Sequence, residues 1–280
     1  MNDKTGRTRI NNFMLTGLLL AMAACGDGGG APDPNCRLSE DGSTVSQCNV
    51  EITVTPITLP GGIWRGIDSG GRDVFAFVTE FGRFQFVDGF GNQGSGNLDV
   101  ENGDTIASIF QLVTQLGATF ADGTTLADCT FSGTIIARQA LTMTESCMTT
   151  AGLQFVETLL LTFDALYNRD ASLATIAGMY ETPVGSILSI ASDGVIFVQD
   201  AVSSCVTNGR MSLTFTTNAN LYNVQYQIDN CIGPDAIWNG SSFVGLTVLD
   251  NTFSPESLTI AVIGDVGGVA ISLVVENERL

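Results

Sequence analysis

From residue 62 to the end, apolar and polar residues alternate in short runs, broken every 8–12 positions by Gly, Asn, Asp or Ser. Alternation with period two is the mark of a strand with one face buried. Runs near 62–67, 73–79, 83–88, 95–100, 105–113, 128–137, 140–147 and 153–163 predict eight strands. Runs near 176–182, 186–191, 195–200, 209–216, 221–229, 239–249, 256–263 and 269–276 predict eight more. Tyr222-Asn-Val-Gln-Tyr-Gln-Ile228 has the cleanest alternation. Phe81-Gly82, Asn102-Gly103 and Asp193-Gly194 read as hairpin turns, because Gly and Asn tolerate positive φ. Ile106, Ile109, Phe110 and Val113 instead have helical spacing, with Asp104 as a candidate N-cap and Gly117 as a candidate stop.

The two sets of strands are copies of one unit. Glu80-Phe-Gly-Arg-Phe-Gln-Phe-Val-Asp88 matches Ser192-Asp-Gly-Val-Ile-Phe-Val-Gln-Asp200, and Phe131-Ser-Gly133 matches Phe243-Val-Gly245. Gly62-Ile-Trp64 matches Gly178-Met-Tyr180, and Gly96-Asn-Leu98 matches Gly209-Arg-Met211. Four anchors in one order at nearly constant offset indicate an internal duplication, which argues for a strand over 105–113. Eight sequential antiparallel strands in about 110 residues suit an up-and-down β-barrel, which hides its edges, or a strongly curved sandwich. The expected fold is all-β: two tandem homologous antiparallel barrel-like domains of about eight strands each, over 61–170 and 171–280.

The first 60 residues differ. Lys4, Arg7 and Arg9 precede an apolar run from Phe13 to Ala24, too short to span a bilayer and fitting a signal peptide over 1–24. Met22-Ala23-Ala24-Cys25 resembles the lipobox of bacterial lipoproteins, with Met22 where that family prefers Leu. The resemblance implies cleavage before Cys25 and lipid on its sulfur and new amino group. Asp27, one position after the place where Asp favours inner-membrane retention in that family, points to the outer membrane. Residues 25–35, rich in Gly and Pro, read as a flexible tether. Residues 36–60 read as a small disulfide hairpin and a lead-in strand.

Six cysteines remain, an even number in an exported chain, so disulfides are expected. Taken as neighbours, Cys36 and Cys48 centre on Gly42, Cys129 and Cys147 on Arg138, and Cys205 and Cys231 on Asn218. Each midpoint falls at a turn between strand-like runs. Residues equidistant from a hairpin turn face each other at a distance a disulfide spans. Three cross-strand staples are predicted, all structural.

The formal net charge is -18. Loss of residues 1–24 removes Lys4, Arg7, Arg9 and Asp3, leaving eight arginines against 28 carboxylates, a formal charge of -20. Such a surface repels nucleic acid and excludes it as a partner. There is no His, so Ser-His-Asp and Cys-His nucleophiles, a His general base and His-ligated zinc are ruled out. No Gly-x-Ser-x-Gly elbow stands beside a partner base. Asp99, Glu101 and Asp104 gather near an Asn-Gly turn, but their spacing matches no calcium loop and reads as a solvated turn. Asn239-Gly-Ser241 fits the glycosylation pattern and, in a bacterial export context, reads as a turn. No catalytic residue, metal site or cofactor is expected.

Gly62-Ile-Trp64 on the first strand of an eight-strand unit resembles the Gly-x-Trp signature of lipocalin-like (calycin) barrels. The resemblance implies an Arg near the barrel's end packed over the aromatic: Arg169 with Trp64 in the first copy, and Arg279 with Tyr180 in the second. It also implies an apolar cup for a small ligand, although barrels this small are filled by their own side chains. The expected function is a non-enzymatic binding module held on the membrane by its N-terminal lipid, contacting an envelope protein or a small ligand. The alternative is a lipocalin-like carrier of small hydrophobic molecules.

Overall fold

The computed structural model describes residues 59–214 and 219–280, which fold as two closed antiparallel β-barrels in tandem. The tether, Cys25 and the Cys36–Cys48 hairpin lie outside the described residues. The first barrel runs through β1 (Gly62–Asp68), β2 (Asp73–Val78), β3 (Arg83–Val87), β4 (Gln93–Asn97), β5 (Asp99–Glu101), β6 (Thr105–Val113), β7 (Leu126–Ile136), β8 (Ala140–Thr149) and β9 (Gln154–Asp164). Neighbours pair in sequence order, β9 returns to β1, and β4 closes onto β6. Both β4 and β5 pair with β6 in one register, Gln93 opposite Val113 and Asp99 opposite Ala107, so they act as one stave bent at Leu98. Segment 105–113 is therefore a strand. Its helical spacing came from Ile109, which is 84% exposed on the outer face, while Ile106, Phe110 and Leu112 point inward.

The second barrel runs through β10 (Gly178–Glu181), β11 (Ile187–Ile190), β12 (Val195–Gln199), β13 (Val206–Leu213), β14 (Tyr222–Asp229), β15 (Ser241–Asp250), β16 (Ser257–Val266) and β17 (Val269–Arg279), and closes between β10 and β17. A 3-10 turn, Ala165–Asn168, and one helical turn, α1 (Leu173–Ile176), join the barrels. Asp164 and Ser172 cap them by accepting from Leu166 N and Thr175 N.

The duplication is written into the backbone. Gly82 and Gly194 adopt φ of 86° and 85°. Each glycine's carbonyl accepts from the partner anchor, Leu98 N (2.8 Å) in the first barrel and Met211 N (2.7 Å) in the second. A Cβ on either would collide with that anchor's own carbonyl oxygen. Trp64 Nε1 donates to Pro60 O (3.2 Å) and Tyr180 OH to Ile176 O (2.8 Å), each four residues back. Gly82→Ala and Gly194→Ala are each expected to cost about 1–3 kcal/mol, from left-handed strain plus the clash. Urea melts of the two single variants check this, and equal losses would reflect their equivalent places.

Each barrel has its own apolar core. Trp64, Phe84, Phe86, Phe110 and Phe131 dominate the first; Tyr180, Met211, Tyr222, Phe243 and Leu258 dominate the second. A third cluster lies where the outer walls meet within one compact unit, with Ile63, Phe77 and Tyr167 against Leu221, Leu246 and Ala261. Backbone bonds cross the junction from Asn220 N to Tyr167 O (2.9 Å) and from Ser272 N to Thr114 O (3.0 Å).

Candidate functional site

Two of the predicted staples are present. Cys129 faces Cys147 on β7 and β8 and the two are bonded, with Cα atoms 4.1 Å apart. Cys205 and Cys231 are bonded just beyond the last paired residues of β13 and β14, Cα atoms 4.0 Å apart. The hairpin turn between β7 and β8 sits at Arg138, with φ of 54°, as the midpoint of its cysteines requires.

The end of each barrel that carries the aromatic signature differs from its partner in its cation. In the second barrel, Arg279 lies over the Tyr180 ring at 5.1 Å and donates to its hydroxyl (2.6 Å). It also donates to Thr175 O (2.6 Å) and pairs with Glu256. In the first barrel the expected partner of Trp64 is wrong: Arg169 makes no cation–π contact among the described residues. The connector that begins at Ala165 carries Arg169 past the barrel end, where it flanks the 3-10 turn. Phe163 packs edge-on to Trp64 instead, at 5.6 Å, and the nearby guanidinium is Arg138, 5.9 Å from both Phe163 and Tyr167.

At the opposite end the first barrel is charged. Asp68 accepts from Gly70 N, Arg72 N and Arg72 Nε; Arg72 also donates to Glu157 (2.8 Å) and stacks on Phe90 at 4.0 Å. Burial works against the charge of Asp68, but these bonds and the Arg72 charge win and hold its carboxyl below the usual range. Beneath this network lies Glu145, only 2% exposed and cross-strand from Glu157. Desolvation, with added repulsion from Asp88, Glu157 and Asp68, pushes Glu145 up to about 8. Cys147 Sγ is 3.5 Å from its Oε1, but a disulfide sulfur has no proton to donate.

The carboxylate of this cluster is enclosed and its sulfurs are occupied. Glu145 and Glu157 face each other, as paired carboxylates must for hydrolysis, but Glu145 is sealed inside the barrel. Cys129, Glu145 and Cys147 come within metal-sharing distance, yet both sulfurs are bonded to each other. Asp99, Glu101 and Asp104 lie exposed around the Asn102–Gly103 turn, as a solvated loop does. In the second barrel Tyr226 stacks on Phe243 (5.1 Å) with Trp238 beyond (6.2 Å), filling the inside with rings.

The depressions a ligand can reach are on the outer walls. One of about 170 Å3 lies where the barrels meet, lined by Arg83, Arg210, Ser212, Asn223 and Gln225. It shares Arg83 with a second of about 300 Å3, reaching Ser95 and Asn97. It shares Arg210 with a third of about 300 Å3, reaching Asn208, Gln227 and Ser242. The result is one groove of mixed polar and apolar lining across the junction, with Val244 in all three depressions. Arg83 donates to Asn223 across it, and partial burial lowers the Arg83 pKa. Sequence reasoning did not single out these arginines. The available signal was their position: Arg83 and Arg210 both lie within the duplicated anchor segments.

Comparison with models of known protein families and with curated protein sequences finds no match.

Proposed function

We propose that this chain is a lipid-anchored envelope protein whose paired barrels form a non-enzymatic binding module that engages its ligand on the outer wall. The anchor reading rests on Met22-Ala23-Ala24-Cys25 and the basic, apolar segment before it. The binding reading is carried by one observation: Phe, Trp, Tyr and Leu side chains fill both barrels, while the reachable depressions lie between and outside them. A carrier of hydrophobic molecules needs an open apolar cup, and the packed interiors speak against that alternative.

A mass spectrum of the intact protein from native membranes tests the anchor. The expected mass is residues 25–280 plus acyl chains; a mass without lipid overturns the anchoring. Titration with 1-aminoanthracene, a fluorescent apolar probe, tests the filled barrels. No saturable binding is expected, and one tight site per barrel would establish the carrier instead.

A further inference from the structure

The junction groove is unusual for this chain in what it lacks. The protein holds 29 carboxylates, yet among the described residues none lines the three connected depressions. Two arginines do. Among the described residues neither has a carboxylate partner, whereas Arg65, Arg72, Arg138 and Arg279 each do. Arg83 gives a hydrogen bond to the neutral amide of Asn223, and Arg210 only a long one to Asp193 O (3.4 Å). Unpaired guanidiniums free of competing acids retain their fork of donors for an external oxyanion.

The rest of the lining, part apolar and part polar, narrows the ligand: Val244 reaches all three depressions, and Tyr226 and Phe243 one of them. Along the groove run side-chain amides at Asn97, Asn208, Gln225 and Gln227, with hydroxyls at Ser95 and Ser242. Amides both donate and accept, which suits a ligand rich in hydroxyl groups. The groove is open and elongated, spanning three depressions, which suits a chain better than a compact ion. Repulsion from carboxylates farther away than about 10 Å is screened at 0.1 M salt, so the two arginines that line the groove weigh most there.

We propose that this groove binds an acidic oligosaccharide, with Arg83 and Arg210 on its anionic groups and the amides on its hydroxyls. The proposal rests on the reading of the body as an outer-wall binding module and names its ligand class.

Calorimetric titration of the full chain with trigalacturonate, cellotriose and inorganic phosphate tests it. Saturable binding of trigalacturonate is expected, weakened when salt rises from 50 to 500 mM, with cellotriose and phosphate at least tenfold weaker. Arg210→Gln should weaken trigalacturonate at least tenfold while leaving the melting temperature unchanged, because Arg210 makes no strong internal bond. Arg83→Gln should weaken it similarly, and its link to Asn223 makes an accompanying melt necessary. Absence of trigalacturonate binding, or binding indifferent to Arg210→Gln, overturns the proposal. Phosphate binding as tight as trigalacturonate reduces the site to a simple anion site, and equal cellotriose binding removes the role of the arginines; either outcome also overturns it. Such a failure leaves the membrane mass and the aminoanthracene titration to judge the module reading separately.

Discussion

Replacing Glu145 by Gln is expected to stabilise the protein by roughly 5 kcal/mol above pH 8, by roughly 3 at pH 7, and by little near pH 4. The sign follows from the direction of the shift. Burial raises this carboxyl from 4.5 to about 8 in the folded chain. Below pH 4.5 both states hold the proton, and the group costs nothing through ionisation. Between 4.5 and 8 the unfolded chain releases the proton while the folded chain keeps it, so stability falls as pH rises. Above 8 the folded chain carries a buried anion and the loss is complete. At 2% exposure no solvent screening softens the effect. Gln keeps the volume and removes the titration. Urea melts of wild type and variant from pH 4 to 9 measure it. Repulsion from Asp68, Asp88 and Glu157 is part of the Glu145 shift and belongs to the difference, while carboxylates not coupled to Glu145 cancel; a flat difference would show that Glu145 does not titrate as its surroundings dictate.

This residue was legible without being read. Leu141, Met143, Glu145 and Cys147 share one parity, and alternation alone places all four inside the barrel. A single carboxyl among inward apolar positions matches none of the sequence patterns that mark chemistry, such as clustered acids or His. The strand pattern itself transferred almost residue by residue, because a half-buried strand must alternate and a hairpin must close at a residue that accepts positive φ. Ile109 disturbed the pattern for a physical reason: one apolar residue on the outer wall is enough to imitate helical spacing over four positions.

The failures have a common cause as well. Alternation reports which side of a wall a residue faces, and nothing about what stands against that wall from another domain. Ile63 and Phe77 are outward in the first barrel yet buried, because the second barrel covers them. The stretch of groove that joins Arg83 to Asn223 forms where two convex walls meet, so no single repeat encodes it. Arg169 was assigned by its position after the last strand. The connector between the barrels, with caps at Asp164 and Ser172, redirects the chain there, and Arg138 arrives from a different hairpin.

Opening the two disulfides is expected to destabilise the protein by roughly 3 kcal/mol each, on the chain-entropy estimate for loops of this length. The cross-links span 18 and 26 residues, so the estimates differ by only a few tenths. Their surroundings separate them. Cys205 and Cys231 lie past the end of the paired strands, where reduction frees the β12–β13 and β14–β15 loops and little else. Cys129 and Cys147 lie inside the first barrel beside Glu145, and reduction there gives Cys147 a proton it can donate to the Glu145 carboxylate. That new bond offsets part of the loss, most strongly above pH 8 where Glu145 is charged. The paired variant Cys129→Ala with Cys147→Ala cannot form it. Thiols of the unfolded chain ionise from about pH 8.5 upward, which works against the folded thiols, so the comparison belongs at pH 8. There the gap in reducing buffer between wild type and the alanine pair should shrink by about 1 kcal/mol when Glu145→Gln is added to both. Urea melts of these proteins with and without reductant decide the matter. An unchanged gap at pH 8 with and without Glu145→Gln would mean that the thiol and the carboxylate do not meet, and identical melts of oxidised and reduced wild type would mean that the staples do not constrain the unfolded chain.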